Sequence, residues 1–307
     1  VAATGIGGLQ GQACVWSVQD GKLLSNIRGH RDVLYDATPG PDGKYLATAG
    51  YDRKIILWDL ATRAEVRTLE GHNGAVFDLE FSPDGNVLAS ASADDTVKLW
   101  SVATGERLDT LGQPLKEQYA VVFDPAGRHI LAAGADNRIR SWRFVSKERP
   151  RINPPAMARF AHEGPISHLA FTPDGKTLIS VSEDRTIKLW RTADYSQFYH
   201  YELQPDVVSA IAVSPSGKTL AVARMDGSLD FLPLKQPGPV QVASSETHTT
   251  TAADPTTVGS KLQTTKETEP NSTAAAAQHV ELPVTISGQI HSPAADTAEA
   301  SPQQPDS

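Results

Sequence analysis

The sequence predicts an all-β chain folded as a β-propeller of four-stranded antiparallel blades. Three observations lead there. Trp16, Trp58, Trp100 and Trp142 stand 42 residues apart, and Trp190 follows after 48. A Pro-x-Gly turn keeps step with them: Pro41, Pro83, Pro125, Pro173 and Pro215 lie 17 residues before Trp58, Trp100, Trp142, Trp190 and Leu232. Short apolar runs of strand length fill the space between turns and anchors. A period of about 40–45 residues with four strands per unit marks a propeller blade.

The unit is clearest from Gly71 to Trp100, GHNGAVFDLEFSPDGNVLASASADDTVKLW. AVFDLEF and NVLASAS are apolar and partly alternating, and TVKLW closes the unit. Ser82-Pro83-Asp84-Gly85 joins the first two, because Pro pre-sets φ, Asp bonds the local backbone and Gly accepts positive φ. Ala93-Asp94-Asp95 turns between the last two. His72, Ser90, Asp94 and Trp100 stand out as polar or amphipathic groups at fixed spacing. Indole N–H only donates, a carboxylate only accepts, and Ser and neutral His do both. A relay from Trp to Ser to His to Asp therefore satisfies every member, as a buried polar network must.

The pattern GH…SPDG…S…D…W is similar to that of the WD-repeat β-propellers, over roughly residues 1–243. That resemblance implies a structural network of His30, Thr48, Asp52 and Trp58; of His72, Ser90, Asp94 and Trp100; and of His162, Ser180, Asp184 and Trp190. The same positions read Pro114, Ala132, Asp136 and Trp142 in one repeat, and Gln204, Val222, Asp226 and Leu232 in the last. The two middle members are lost together, because a half-satisfied buried network is worse than an apolar one. Asp persists throughout, which implies a second task at the backbone amides of its own turn. On this count residues 1–243 hold five complete blades and one partial blade, with about seven expected in a parent protein.

Taken in order, VAATG, ACVWSV and KLLSNIR end a blade whose first strand is missing. Val1 starts in mid-strand with no initiator Met, so the chain reads as a fragment. The Gly5–Gly11 loop misses the G-x-G-x-x-G spacing at Gln10 and precedes no helix, so it is a hairpin loop and not a phosphate cradle. Four full repeats follow. Six extra residues fall after Trp142 in RFVSKERPRINPPAMARF, a basic, Pro-stiffened loop read as solvated surface. Tyr35, Phe77 and Tyr119 recur five residues after the His position and are assigned to packing between blades, on the same side as Leu79 and Phe81, with a ligand-stacking column near the channel as the alternative. Residues 239–245, PVQVASS, are expected as the outer strand of the sixth repeat. Residues 244–266 are Ser/Thr/Pro-rich, cannot bury a core and form a disordered linker. From 267 to 307, an acidic Pro-Asn turn and VELPVTISGQI resemble the truncated start of the bacterial pre-peptidase C-terminal domain, a β-sandwich of secreted proteins. That likeness favours a secreted or periplasmic bacterial protein, with a cytoplasmic location as alternative.

Composition narrows the function. Residues 1–234 carry 25 Lys+Arg against 28 Asp+Glu, and the tail 3 against 8. A mildly acidic propeller does not suit nucleic acid or an anionic membrane, and no apolar run approaches the roughly 20 residues of a span. Cys14 is alone, so neither an internal disulfide nor a cysteine metal site forms. No H-E-x-x-H, C-x-x-C or Walker motif occurs. The Ser, His and Asp of a blade resemble a hydrolase triad, yet the trio repeats in three blades with a Trp attached, whereas an active site appears once. No cofactor is expected. The chain reads as a non-catalytic scaffold for a protein or peptide partner, or alternatively as the accessory propeller of a larger secreted enzyme or c-type cytochrome. Candidate contacts flank the Asp and His positions: Arg31, Tyr51, Arg53, Asn73, Asp95, Asn137, Glu163, Glu183 and Arg185. Only the Asp is fixed by the network, so its neighbours are read as free to vary.

Overall fold

The computed structural model describes residues 2–7, 11–17, 19–112, 116–145 and 153–238. They form 22 strands and, among the described residues, no helix. The first sheet is β1 (Ala2–Gly7), β2 (Gln12–Ser17) and β3 (Leu23–Arg28). Four four-stranded sheets follow. They are β4 (Leu34–Pro39), β5 (Tyr45–Gly50), β6 (Ile55–Asp59), β7 (Glu65–Leu69); β8 (Val76–Phe81), β9 (Val87–Ser92), β10 (Val97–Ser101), β11 (Arg107–Leu111); β12 (Gln118–Phe123), β13 (His129–Gly134), β14 (Arg138–Arg143), β15 (Pro155–Phe160); and β16 (Ile166–Phe171), β17 (Thr177–Ser182), β18 (Ile187–Arg191), β19 (Gln197–His200). The last is β20 (Val208–Val213), β21 (Thr219–Arg224) and β22 (Leu229–Pro233). Each is an antiparallel meander in chain order, and the innermost strands β4, β8, β12, β16 and β20 pack successively against one another. The architecture is a propeller of four-stranded antiparallel blades, with a partial blade at the start. The outer strand expected at 239–245 lies outside the described residues. So do the basic loop at 146–152, the linker and the sandwich-like tail.

The apolar cores lie between blades. All six residues of β9 and of β17 are buried, because the second strand of each blade is covered on both faces. Val87, Ala89 and Ala91 pack with Val121, Phe123 and Ile130 of the next blade, while Leu88 packs with Ala47, Ala49 and Leu57 of the previous one. Small and large residues alternate so that the sheets interdigitate. Burying a Leu or Val here stabilises by about 1.5–3 kcal/mol, and enlarging Ala89 would overpack the seam at about 1–3 kcal/mol.

Two local features set the loops. In the Pro-x-Gly turns, Gly85 holds φ of 72° and its amide donates to the Ser82 carbonyl at 2.8 Å. A Cβ at Gly85 would stand 3.3 Å from Pro41 of the preceding blade, so this turn also packs blade on blade. On the inner strands a β-bulge recurs at the second residue, between Leu34 and Asp36, Val76 and Asp78, Gln118 and Ala120, Ile166 and His168, and Val208 and Ala210. Each bulge leaves one extra residue unpaired and breaks the two-residue alternation. Tyr35, Phe77 and Tyr119 are those extra residues. Leu79 and Phe81 are buried in the core between blades; Phe77 is half-buried, outside that core, and lines the central cavity, which Leu79 also borders. The expectation that Phe77 shares their side assumed unbroken alternation. The rings do bridge blades: Tyr35, Phe77 and Tyr119 stack edge to face with centroids 5.1 and 5.2 Å apart.

Candidate functional site

The turns carrying Asp and the segments carrying His are laid side by side by the blade meander. At Trp100 the indole N–H donates to Ser90 Oγ at 2.8 Å, and Ser90 Oγ lies 2.7 Å from His72 Nε2. His72 Nδ1 lies 2.8 Å from Asp94 Oδ2. Trp58, Thr48, His30 and Asp52 repeat this at 2.8, 2.8 and 2.9 Å. With the proton on Nδ1, the hydroxyl donates to Nε2 and the imidazole donates to the carboxylate, so no member is left over. Trp190 and Ser180 join at 2.8 Å and Ser180 and His162 at 2.6 Å, but His162 Nδ1 sits 2.8 Å from Thr186 Oγ1 and 3.4 Å from Asp184.

Each Asp also accepts backbone amides. Asn73 N and Thr96 N donate to Asp94 at 2.9 and 3.1 Å, Arg31 N and Lys54 N to Asp52, and Glu163 N and Thr186 N to Asp184. Arg138 N and Ser228 N do the same for Asp136 and Asp226, where the relay is absent. Burial opposes the charge on Asp94, yet the bonds from His72, Thr96 and Asn73 hold its carboxyl well below the usual carboxylate range. Burial pushes His72 down and His162 down to about 4 against the pull of their Asp partners. His72 and His162 are thus held uncharged beside their Asp partners, and Ser90, 0% exposed, meets no solvent.

Where the relay is absent, other buried groups stand in. Arg140 pairs with Asp136 at 2.5 Å, and Trp142 donates to the Gly112 carbonyl at 3.2 Å; Pro114 lies outside the described residues. In the last blade Gln204 Oε1 accepts two bonds from Arg224, at 3.2 and 2.6 Å, and Arg224 pairs with Asp230 at 2.7 Å. Sequence reading missed these roles. A signal existed for one: Lys98, Arg140 and Lys188 each stand two residues before their Trp.

The candidate contact residues divide into groups. Arg31, Asn73, Glu163, Tyr51, Arg53, Asp95, Glu183 and Arg185 are exposed, with Tyr51 at 59%. Asn137 is only half-buried, because its side-chain amide donates to the Glu163 carbonyl of the next loop at 2.8 Å. Arg185 reaches the Pro205 carbonyl at 3.3 Å. The residue after each Asp is not free to vary. Arg53, Asp95, Asn137, Arg185 and Gly227 have φ of 68°, 63°, 62°, 66° and 84°, a left-handed backbone forced by the tight return from second to third strand.

Comparison with known proteins bears on the same residues. The WD domain, G-beta repeat family (WD40) matches at residues 21–59, 63–101, 105–143 and 156–191. Periodic tryptophan protein 2 homolog of Neurospora crassa is 41% identical over 71 residues, 23% of this chain and 8% of that protein. WD repeat and SOCS box-containing protein 1 of Danio rerio is 41% identical over 59 residues, 19% of this chain and 14% of that protein. Transducin beta-like protein 2 of Homo sapiens is 30% identical over 154 residues, 39% of this chain and 34% of that protein. The chain thus spans between 8% and 34% of the length of these relatives.

Proposed function

Because this chain carries WD40 repeats on β-propeller blades, we propose that it is a non-catalytic scaffold that binds a protein or peptide through the face bearing the His and Asp loops. The exposed, mixed-charge rim beside the Asp and His positions is the observation that supports this face. The turn needs a left-handed residue after every Asp, and the last blade supplies Gly227 at no steric cost. At the same place the chain keeps Arg53 and Arg185, with about 1–2 kcal/mol of unfavourable backbone each. Asn and Asp adopt this conformation more readily than Arg, through their short side chains. Arg63 and Tyr195, in the turns from third to fourth strand, hold the same left-handed backbone with φ of 61° and 54°, so the strain alone does not choose a face; Arg53 adds an exposed side chain to the rim.

The rest of the rim fits a specific contact. Tyr51 offers an exposed aromatic, Arg31 and Arg53 are basic, and Asp95, Glu163 and Glu183 are acidic, all on short loops held by rigid strands. The relatives named above are eukaryotic, and none of the described residues favours the accessory propeller of a secreted bacterial enzyme. Among the described residues no helix is long and apolar enough to cross a membrane.

Tyr51→Ala with Arg53→Ala tests the reading. Pull-down of the partner from native extract should be abolished while the melting curve stays in place. Retained capture by the double variant, with loss only when residues 147–155 are cut, would move the contact to the opposite face.

A further inference from the structure

The inner strands of five successive blades surround a cavity of about 330 Å³. Asp36 of β4 and Asp78 and Glu80 of β8 line it together with Tyr35, Phe77 and Tyr119. Glu183 lines it from the Asp184 turn, so the cavity reaches the face assigned above to partner contact. Among the described residues none that lines it is a Lys or Arg.

The three inner carboxyls are not equally occupied. Asp36 accepts amide bonds from Ala37 at 2.7 Å and from Leu79 of the next blade at 3.0 Å. Asp78 accepts the Val121 amide of the blade after, at 2.7 Å. These two staple neighbouring blades. Among the described residues Glu80 has no hydrogen-bond or ion-pair partner and joins no blades. Burial pushes its carboxyl up to about 8 and that of Asp36 up to about 7, and burial together with the Asp36 charge drives Asp78 well up. His168 of β16, also in the lining, is pushed down to about 4 by burial and brings no positive charge at neutral pH. Burial likewise holds Tyr35 and Tyr119 above their usual range, so they stay neutral.

We propose that this cavity receives one basic side chain, a lysine or arginine presented by the protein partner, with its charge against Glu80 and its stem along the Phe77 and Tyr119 rings. The proposal rests on the His and Asp face being the contact face. Charge complementarity selects the occupant. The lining supplies carboxyls and ring faces, which suit an organic cation with an aliphatic stem. A metal ion does not fit: no group of three or more His, Cys, Asp or Glu among the described residues is arranged to hold one. Seating the cation converts Glu80 to carboxylate and releases its proton to buffer.

Calorimetric titration of the full chain with n-butylamine and n-butylguanidine, and with n-butanol as uncharged control, tests this. Both cations should bind saturably at one site and n-butanol should not. Affinity should rise between pH 6 and pH 8, by up to about tenfold per pH unit for each proton displaced, and the enthalpy should follow the ionisation heat of the buffer. Glu80→Gln, of equal size, should weaken binding roughly tenfold or more. Tyr51→Ala with Arg53→Ala should leave it unchanged, which separates the cavity from the rim: partner capture through the rim without cation binding sinks the cavity alone. Absent saturation, n-butanol binding as tightly, a buffer-independent enthalpy in the wild-type chain, or undiminished affinity in Glu80→Gln would each overturn the proposal.

Discussion

Ser90→Ala is the sharpest perturbation of the fold. Ser90 is 0% exposed; its hydroxyl takes the Trp100 N–H at 2.8 Å and faces His72 Nε2 at 2.7 Å. Removing one oxygen orphans a buried donor and a buried acceptor at once, each costing about 1–3 kcal/mol. The expected loss is about 2–4 kcal/mol, set against a negligible change in apolar packing. Urea unfolding followed by tryptophan fluorescence reads this as a shift in midpoint at constant slope. Trp100→Phe alone should cost about 1–3 kcal/mol through the same bond. The double variant should therefore lose at least about 1 kcal/mol less than the two single losses added together, since one bond cannot be broken twice. Strict additivity, or a Ser90→Ala loss below about 0.5 kcal/mol, would refute the relay as a stabilising unit.

Trp142→Phe should cost less through hydrogen bonding than Trp100→Phe in the same series, because its acceptor among the described residues is the Gly112 carbonyl at 3.2 Å and Ala132 replaces the hydroxyl. Stability should fall as pH rises from 6 to 9, since Asp36 and Glu80 hold protons up to about 7 and about 8 that the unfolded chain gives up near pH 4; Glu80→Gln should flatten that slope in thermal melts. Asp94 acts in the opposite sense: its contribution is present above its ordinary range near pH 4 and is lost as pH falls further, so Asp94→Asn should weaken the steepness of acid unfolding. Arg53→Gly should hold or raise the melting temperature by relieving the left-handed backbone while reducing partner capture. A lower melting temperature would remove the inference that Arg53 is kept for contact.

The blade repeat was legible because anchors and turns are encoded locally: Pro83, Gly85 and Trp100 each do their work within one unit. The relay could be read from donor and acceptor chemistry, since Trp100, Ser90, His72 and Asp94 have only one way to satisfy each other. The bulge at Phe77 was not legible. It arises from register between β8 and β9, and nothing in AVFDLEF marks the extra residue. It is what turns Phe77 toward the cavity; the recurrence of Tyr35, Phe77 and Tyr119 raised a column near the channel as the lesser reading, but not the carboxyls beside it. The left-handed residue after each Asp was hidden for another reason: Gly227 signals it in one blade, while Arg53 and Arg185 disguise it in two others. Arg140 and Arg224 escaped because their pairing with Asp136, Gln204 and Asp230 depends on which side chains the relay has already lost.

The most direct measurement of the central claim is photo-crosslinking of the full chain in native extract, with the photoreactive residue placed at 51, 53, 95 or 185 and, on the opposite face, at 42, 84 or 174. Adducts of one common mass from the first set and none from the second are expected. Adducts from the Pro-x-Gly turns alone, or none from the positions beside the Asp residues, would contradict the assignment of that face to a partner.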